Sequence, residues 1–268
     1  MISRFRVLAA LATLLALAAC TTLQPGSAAL PAPPAHPNGQ VLWGLVHQHC
    51  VPGQRSGAGP APCGAVVLSP DEARGYVVLK DRVGVGQQLV MPTALITGIE
   101  DPRVLAPGAT NYFAVAWLAR PWLFSRLPLP LPREEVSIAV NSPYGRTQDL
   151  LHLHLDCVSP ETQATLLEHR AEIGPAWSRT PLTLAGHAYL TRWIDGEDLA
   201  QDPFQLLAQG VPGARRQMGA WSLVLVGAHR ADGGPGFVLL ATRADPAHGL
   251  SGSGEELQDH DCRVMLPN

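Results

Sequence analysis

Residues 147–157 read TQDLLHLHLDC. From Leu151 to Cys157 leucine alternates with His152, His154 and Asp156. A period of two is the signature of a strand, whose successive side chains point to opposite faces. His152, His154 and Asp156 therefore share one face. Leu151, Leu153, Leu155 and Cys157 share the other and face the core. A chain carrying this stretch must build a sheet that is buried behind and holds two imidazoles and a carboxyl in front.

The flanking segments complete the sheet. GYVVLKD (75–81) and QQLVMPT (87–93) are β-rich runs joined by a short glycine-containing link, which predicts a hairpin. TNYFAVAWLARPWLFSRL (110–127) has a broad apolar helical face, with Thr110 or Asn111 as cap and a kink or break at Pro121. VSIAVNS (136–142) reads as a strand. SPETQATLLEHRAEI (159–173) opens with a serine cap and a proline in its first turn, and so reads as a helix. VLWGLVHQHC (41–50) fits either state. The order strand, strand, helix, strand, strand, helix with short links implies an antiparallel sheet with packed helices, an α+β layout. Beyond residue 180, DPFQLLAQGV reads as a short helix. WSLVLVGA and FVLLATR read as paired strands, either a small second sheet or an addition to the first.

The N-terminus narrows the setting. MISRFR is followed by an apolar run of about 13 residues, the length of a signal-peptide core and too short to span a bilayer. It ends Leu17-Ala18-Ala19-Cys20, which resembles a lipobox; residues 1–19 are expected to be a signal peptide and Cys20 the lipidated first residue. A Pro/Ala-rich tether would fill 20–40. The expected location is the bacterial envelope, on a periplasm-facing lipoprotein. Thr21 leans toward the outer membrane without excluding the inner.

Outside the cytosol, Cys50, Cys63, Cys157 and Cys262 suggest two disulfides, with three connectivities open. Pairing Cys50 with Cys63 would close a Gly/Pro-rich loop, and Cys157 with Cys262 would tie the histidine strand to the C-terminus. Net charge is -3 with no basic stripe, which argues against nucleic acid as partner.

Two strand histidines suit a zinc site if a further ligand comes from elsewhere. They also suit nucleophilic attack on phosphorus by a neutral imidazole. Such a nucleophile needs its second ring nitrogen held by an acceptor and donors around the phosphate oxygens. Asn141, Ser142, Arg146, Thr147 and Gln148 run straight into the strand, as parts of a phosphate pocket or of an ordinary turn. His47 and His49, flanking Cys50, are a weaker metal candidate. No metal or cofactor is called for.

Taken together, these residues resemble the histidine-triad superfamily of nucleotidyl hydrolases and transferases. Its motif is His-x-His-x-His on a strand, with an asparagine eleven residues and a glutamine four residues before the first histidine. Asn141 and Gln148 stand at those distances from His152. The resemblance implies that His154 is the nucleophile and His152 its support. Two positions depart from it: Asp156 replaces the third histidine, and Gln87 stands where many members carry a histidine five residues before the proline that ends the hairpin, here Pro92. A narrower resemblance absorbs both. GYVVLKD, LVMPT, GIEDP, NYFAVAW, AVNSPYGRTQDLLHLHLDC, GHAYL, DPFQLLA, RRQMG, FVLLATR and EELQDHDC look like the CDP-diacylglycerol pyrophosphatase family over about residues 41–265.

That resemblance implies a histidine-triad-like core over 41–178 and a C-terminal α/β extension over 179–268. It implies hydrolysis of CDP-diacylglycerol to CMP and phosphatidate through a cytidylyl-histidine intermediate. Asn141, Arg146, Thr147, Gln148, Asp81 and Gln87 would bind substrate, and Asp156 would be auxiliary; Lys80, at the end of the GYVVLK strand, would either reach the diphosphate or lie on the surface. Trp117, Trp122, Leu123 and Phe124 would either line a lipid groove or belong to the core, and His187 either line the site or sit in the core. Three rivals stand beside this: a periplasmic hydrolase of soluble nucleotide diphosphate esters, a non-catalytic nucleotide- or lipid-binding lipoprotein, and a structural envelope lipoprotein in which the strand histidines would be incidental.

Overall fold

The computed structural model describes residues 30–265; the signal peptide and the lipidated Cys20 expected from the sequence lie outside them. The strands are β1 (Ala65–Val67), β2 (Tyr76–Lys80), β3 (Gln88–Pro92), β4 (Val136–Val140), β5 (Leu153–Cys157), β6 (Leu182–Leu184), β7 (His187–Asp195), β8 (Trp221–His229) and β9 (Pro235–Arg243). They form one nine-stranded sheet in the order β1-β2-β3-β5-β4-β8-β9-β7-β6, and every pairing is antiparallel. The protein is thus a mixed α and β chain built on a large antiparallel sheet with few helices. The later strands extend the first sheet: β8 pairs along β4, so described residues 179–265 add four strands to the same layer.

Helices are short because breakers fall where the sequence places them. The apolar run at 41 is helical, as α1 (Val41–Leu45) and α2 (Val51–Ser56) joined by a π-helical turn. The run at 110 splits into α3 (Tyr112–Leu118) and α4 (Arg120–Phe124). Pro121 lacks an N–H and is tolerated only in a first turn, so a new helix starts there. Asn111 caps α3 by accepting from the Ala114 amide. α5 (Pro160–Glu168) carries the expected serine cap, Ser159 accepting from the Thr162 amide, and stops earlier than the sequence suggests. Asp202 caps α6 (Pro203–Gly210) in the same way.

The alternation read from 151–157 sorts the sheet into two faces. Leu151, Leu153, Leu155 and Cys157 bury against α3, α4 and α6 with Trp117, Leu123 and Phe204. On the opposite face two separate apolar clusters form. One gathers Val77, Leu79, Leu89 and Met91 under α1 and α2; the other gathers Ala139, Val224, Val226 and Leu240 with Leu166 of α5. The two histidines lie on this face, between those clusters.

Both disulfides are formed, Cys50–Cys63 and Cys157–Cys262. The second anchors the C-terminal segment 254–262 over the histidine face. Gly254 makes that close approach possible: a Cβ there would sit 2.9 Å from a Val224 methyl and 3.2 Å from Ala139 Cβ. Such contacts are at or below the limit real side chains tolerate in a packed core. With glycine, the short 3₁₀ turn Gly254–Leu257 can lie directly on the sheet.

Candidate active site

Register places His154 across from Leu89 on β3 and Ala139 on β4. The small Ala139 leaves the space that the incoming turn fills. His152 stands just before β5, where the backbone leaves the ladder, and its ring still faces the same side; the two ring centroids are 4.9 Å apart, edge to face. Both rings are nearly fully buried, and both line a cavity of about 340 Å³. Its other walls include Asn141, Arg146, Thr147, Gln148, Lys80, Asp81 and Glu255, with Val41, Leu42 and Leu45 of α1 and Val83 of the β2–β3 link as apolar lining.

His152 donates from Nδ1 to the Leu150 carbonyl at 2.5 Å. Burial, reinforced by the neighbouring His154, pushes its pKa down to about 3, so it is neutral at any working pH. His154 differs. Its Nδ1 is 2.9 Å from Glu255 Oε1, and its Nε2 has no hydrogen-bond partner. Glu255 also accepts from Asn141 Nδ2 at 2.6 Å and from Gln87 Nε2 at 3.2 Å. Asn141 Oδ1 in turn accepts from the Gly254 amide at 2.8 Å, which locks the turn to β4. Burial opposes ionisation of Glu255, yet the hydrogen bond and charge of His154 and the Asn141 amide outweigh it and hold the carboxyl at about 2.

Asp156, at the place of a third histidine, is fully buried beneath the site. Its Oδ2 is 2.7 Å from His260 Nδ1, and its Oδ1 accepts from the Cys157 amide. Burial pushes Asp156 up; Asp156 in turn raises His260, the strongest influence on that imidazole. The C-terminal segment thus sets an imidazole against the carboxyl that ends the polar stripe of β5.

The residues expected around phosphate take varied positions. Arg146 lines the cavity, but its guanidinium makes two 2.7 Å bonds to Glu100, and Asp149 lies at 3.4 Å. Gln148 accepts from the Leu42 amide and donates to the Asn38 carbonyl, both at 3.0 Å, and so fastens α1 over the cavity. Lys80 caps the carbonyls of Asp81, Val83 and Gly84 and closes the hairpin link. Asp81 turns back to the Val83 amide. Thr147 is exposed at the rim. Gln87 sits beneath the nucleophile candidate, 3.1 Å from His154 Nδ1. Trp117 and Leu123 are core on the far face, and Trp122 is partly exposed away from the cavity. His187 joins Tyr189 on Glu256, outside the cavity. His47 and His49 are exposed, with His47 stacked on Trp43.

Glu255, Gln258 and His260 are the contributors that sequence spacing did not single out. Gln258 donates to the His154 carbonyl and to Ser137 Oγ, both at 2.9 Å. All three belong to the EELQDHDC stretch, and the Cys157–Cys262 bridge is the signal that puts this stretch on the histidine strand.

Residues 37–266 match the profile of the CDP-diacylglycerol pyrophosphatase family. A protein of Yersinia pestis named CDP-diacylglycerol pyrophosphatase is 40% identical over 229 residues, spanning 85% of this chain and 86% of that protein. With a match that takes in every strand and helix of the fold and the site they build, this chain belongs to the CDP-diacylglycerol pyrophosphatase family.

Proposed function

We propose that the chain hydrolyses CDP-diacylglycerol to CMP and phosphatidate in two displacements at the cytidine-side phosphorus, with His154 as nucleophile. The observation that carries this reading is the state of His154: Nδ1 faces a carboxylate while Nε2 is unpartnered beside the cavity. A neutral imidazole held in this way attacks through Nε2. The N–P bond forms, the bond to the phosphatidate oxygen breaks, and phosphatidate leaves as a monoester anion needing no proton at neutral pH. Water then attacks the cytidylyl-histidine, the N–P bond breaks, CMP departs and the water proton passes to solvent. Neutral His152 lies against the nucleophile without adding a competing charge. Arg146 and Thr147, which line the cavity, face the phosphates, and His260, on Asp156, takes the part of the missing third histidine in a histidine-triad-like site.

The apolar wall of Val41, Leu42, Leu45 and Val83 favours a lipid nucleotide over a soluble one. The reading also takes Cys20 as a lipid anchor that keeps the enzyme at the membrane holding its substrate; no helix among the described residues is long and apolar enough to cross a bilayer.

The direct test is CMP release from CDP-diacylglycerol in detergent micelles with EDTA present. The parent protein should turn over and His154→Ala should not. Normal CMP release by His154→Ala sinks the nucleophile assignment, and loss of parent activity in EDTA sinks the metal-free chemistry.

A further inference from the structure

We infer that Glu255 is a positioning residue for the nucleophile: its carboxylate selects the reactive tautomer of His154 and balances the imidazolium that forms when His154 binds phosphorus. The inference rests on His154 being the nucleophile, as proposed above.

Donor counting around the carboxylate fixes the proton. Three nitrogens converge on Glu255: His154 Nδ1 and Gln87 Nε2 on Oε1, and Asn141 Nδ2 on Oε2. Gln87 Nε2 is also 3.1 Å from His154 Nδ1, so two nitrogens share one oxygen in a tight triangle. An amide NH₂ only donates. A carboxylate only accepts. Were the imidazole proton on Nε2, the Nδ1 lone pair would point at an anionic oxygen 2.9 Å away. With the proton on Nδ1, both nitrogens donate to Oε1 and every polarity matches. Nε2 then carries the free lone pair, as attack on phosphorus requires.

The carboxylate has little other reason to be there. A partly buried carboxylate is costly unless paired, and Glu255 arrives from about a hundred residues along the chain. Three devices hold it: Gly254, which lets the turn lie on Val224 and Ala139; Gln258, bonded to the His154 carbonyl; and the Cys157–Cys262 bridge. The adjacent Glu256 turns away to His187 and Tyr189, so the pairing with His154 is specific to one of two neighbouring acids. Forming the N–P bond leaves a positive charge on the ring while the Nδ1 proton stays between ring and carboxylate. A fixed anion at that point stabilises charge present in the transition state and absent from the ground state. Other titratable groups around the pair are His152, Arg146, Asp156 and His260, with Lys80 and Asp81 on the same cavity wall.

The experiment compares parent, Glu255→Gln, Glu255→Asp and His154→Ala on CDP-diacylglycerol micelles from pH 5 to 9, with thermal midpoints measured alongside. By analogy with losing the carboxylate behind a catalytic histidine, Glu255→Gln should lower kcat by roughly 10²–10⁴-fold with little change in KM. Glu255→Asp should recover at least about tenfold over Glu255→Gln, by restoring the charge at a longer reach. A Glu255→Gln enzyme within about threefold of the parent kcat overturns the inference. So does a loss of kcat with no rescue by aspartate and a matching fall in thermal midpoint, which marks a structural role alone. An active His154→Ala protein instead overturns the nucleophile reading underneath.

Discussion

At the scale of single residues, the site depends on who faces whom rather than on which residue types are present. Arg146 has the charge expected near phosphate, yet most of it is spent on Glu100. Gln148 stands at the expected spacing but holds a helix. His260, with no place in the strand motif, faces Asp156, with Glu255 and Asp81 adding to the negative field around it. That field raises its pKa in the folded protein above the ordinary histidine value. The resulting stabilisation is fully present below about pH 6.5, where histidine is charged in both states, and fades as pH rises through the folded value. A His260→Gln protein should therefore be less stable than the parent at pH 6, and the gap should narrow toward pH 9. Urea midpoints across that range measure it; a gap independent of pH means the His260–Asp156 contact is not ionic.

At the scale of elements, the two disulfides do different work. Cys50–Cys63 closes a short loop, separation 13, beside α2, whereas Cys157–Cys262 closes one of separation 105 and anchors the segment bearing Glu255 and His260. Chain-entropy reasoning assigns about 3 kcal/mol to a loop near 15 residues and about 5 kcal/mol to one near 100. The functional difference should be larger. Cys157→Ala/Cys262→Ala should lose most of kcat as well as stability, because the carboxylate behind His154 is no longer held. Cys50→Ala/Cys63→Ala should lower the thermal midpoint while keeping kcat within a few-fold. Equal effects of the two pairs on kcat would show that the C-terminal segment docks without its bridge.

At the scale of the molecule, β4 lies between β5 and β8, and all of Val136–Val140 is buried. Removing everything beyond residue 178 would expose β4 as a long apolar edge, a template for aggregation, and would strip Glu255 from His154. A fragment of residues 41–178 should be inactive and insoluble, by CMP release and sedimentation. A soluble, active fragment would show that the later strands only decorate a self-sufficient core.

Much of this was legible in the chain itself. The alternation from Leu151 to Cys157 specifies a strand with histidines on one face, since the period of the backbone is local and needs no partner to read. Ser159 and Pro121 mark helix boundaries because caps and missing amide donors are local chemistry too. The separated motifs from GYVVLKD to EELQDHDC led to the family to which the chain belongs for the same reason: each is a short local stretch, readable without knowing what it touches. Tertiary structure alone decided the rest. That β8 pairs with β4 follows from matching two apolar faces across some eighty residues. That Glu255 meets His154 follows from a disulfide, one glycine and one alanine which bring distant segments within hydrogen-bond reach. Sequence dictates local backbone period and local hydrogen bonds; only packing decides which distant donor and acceptor are left to face each other.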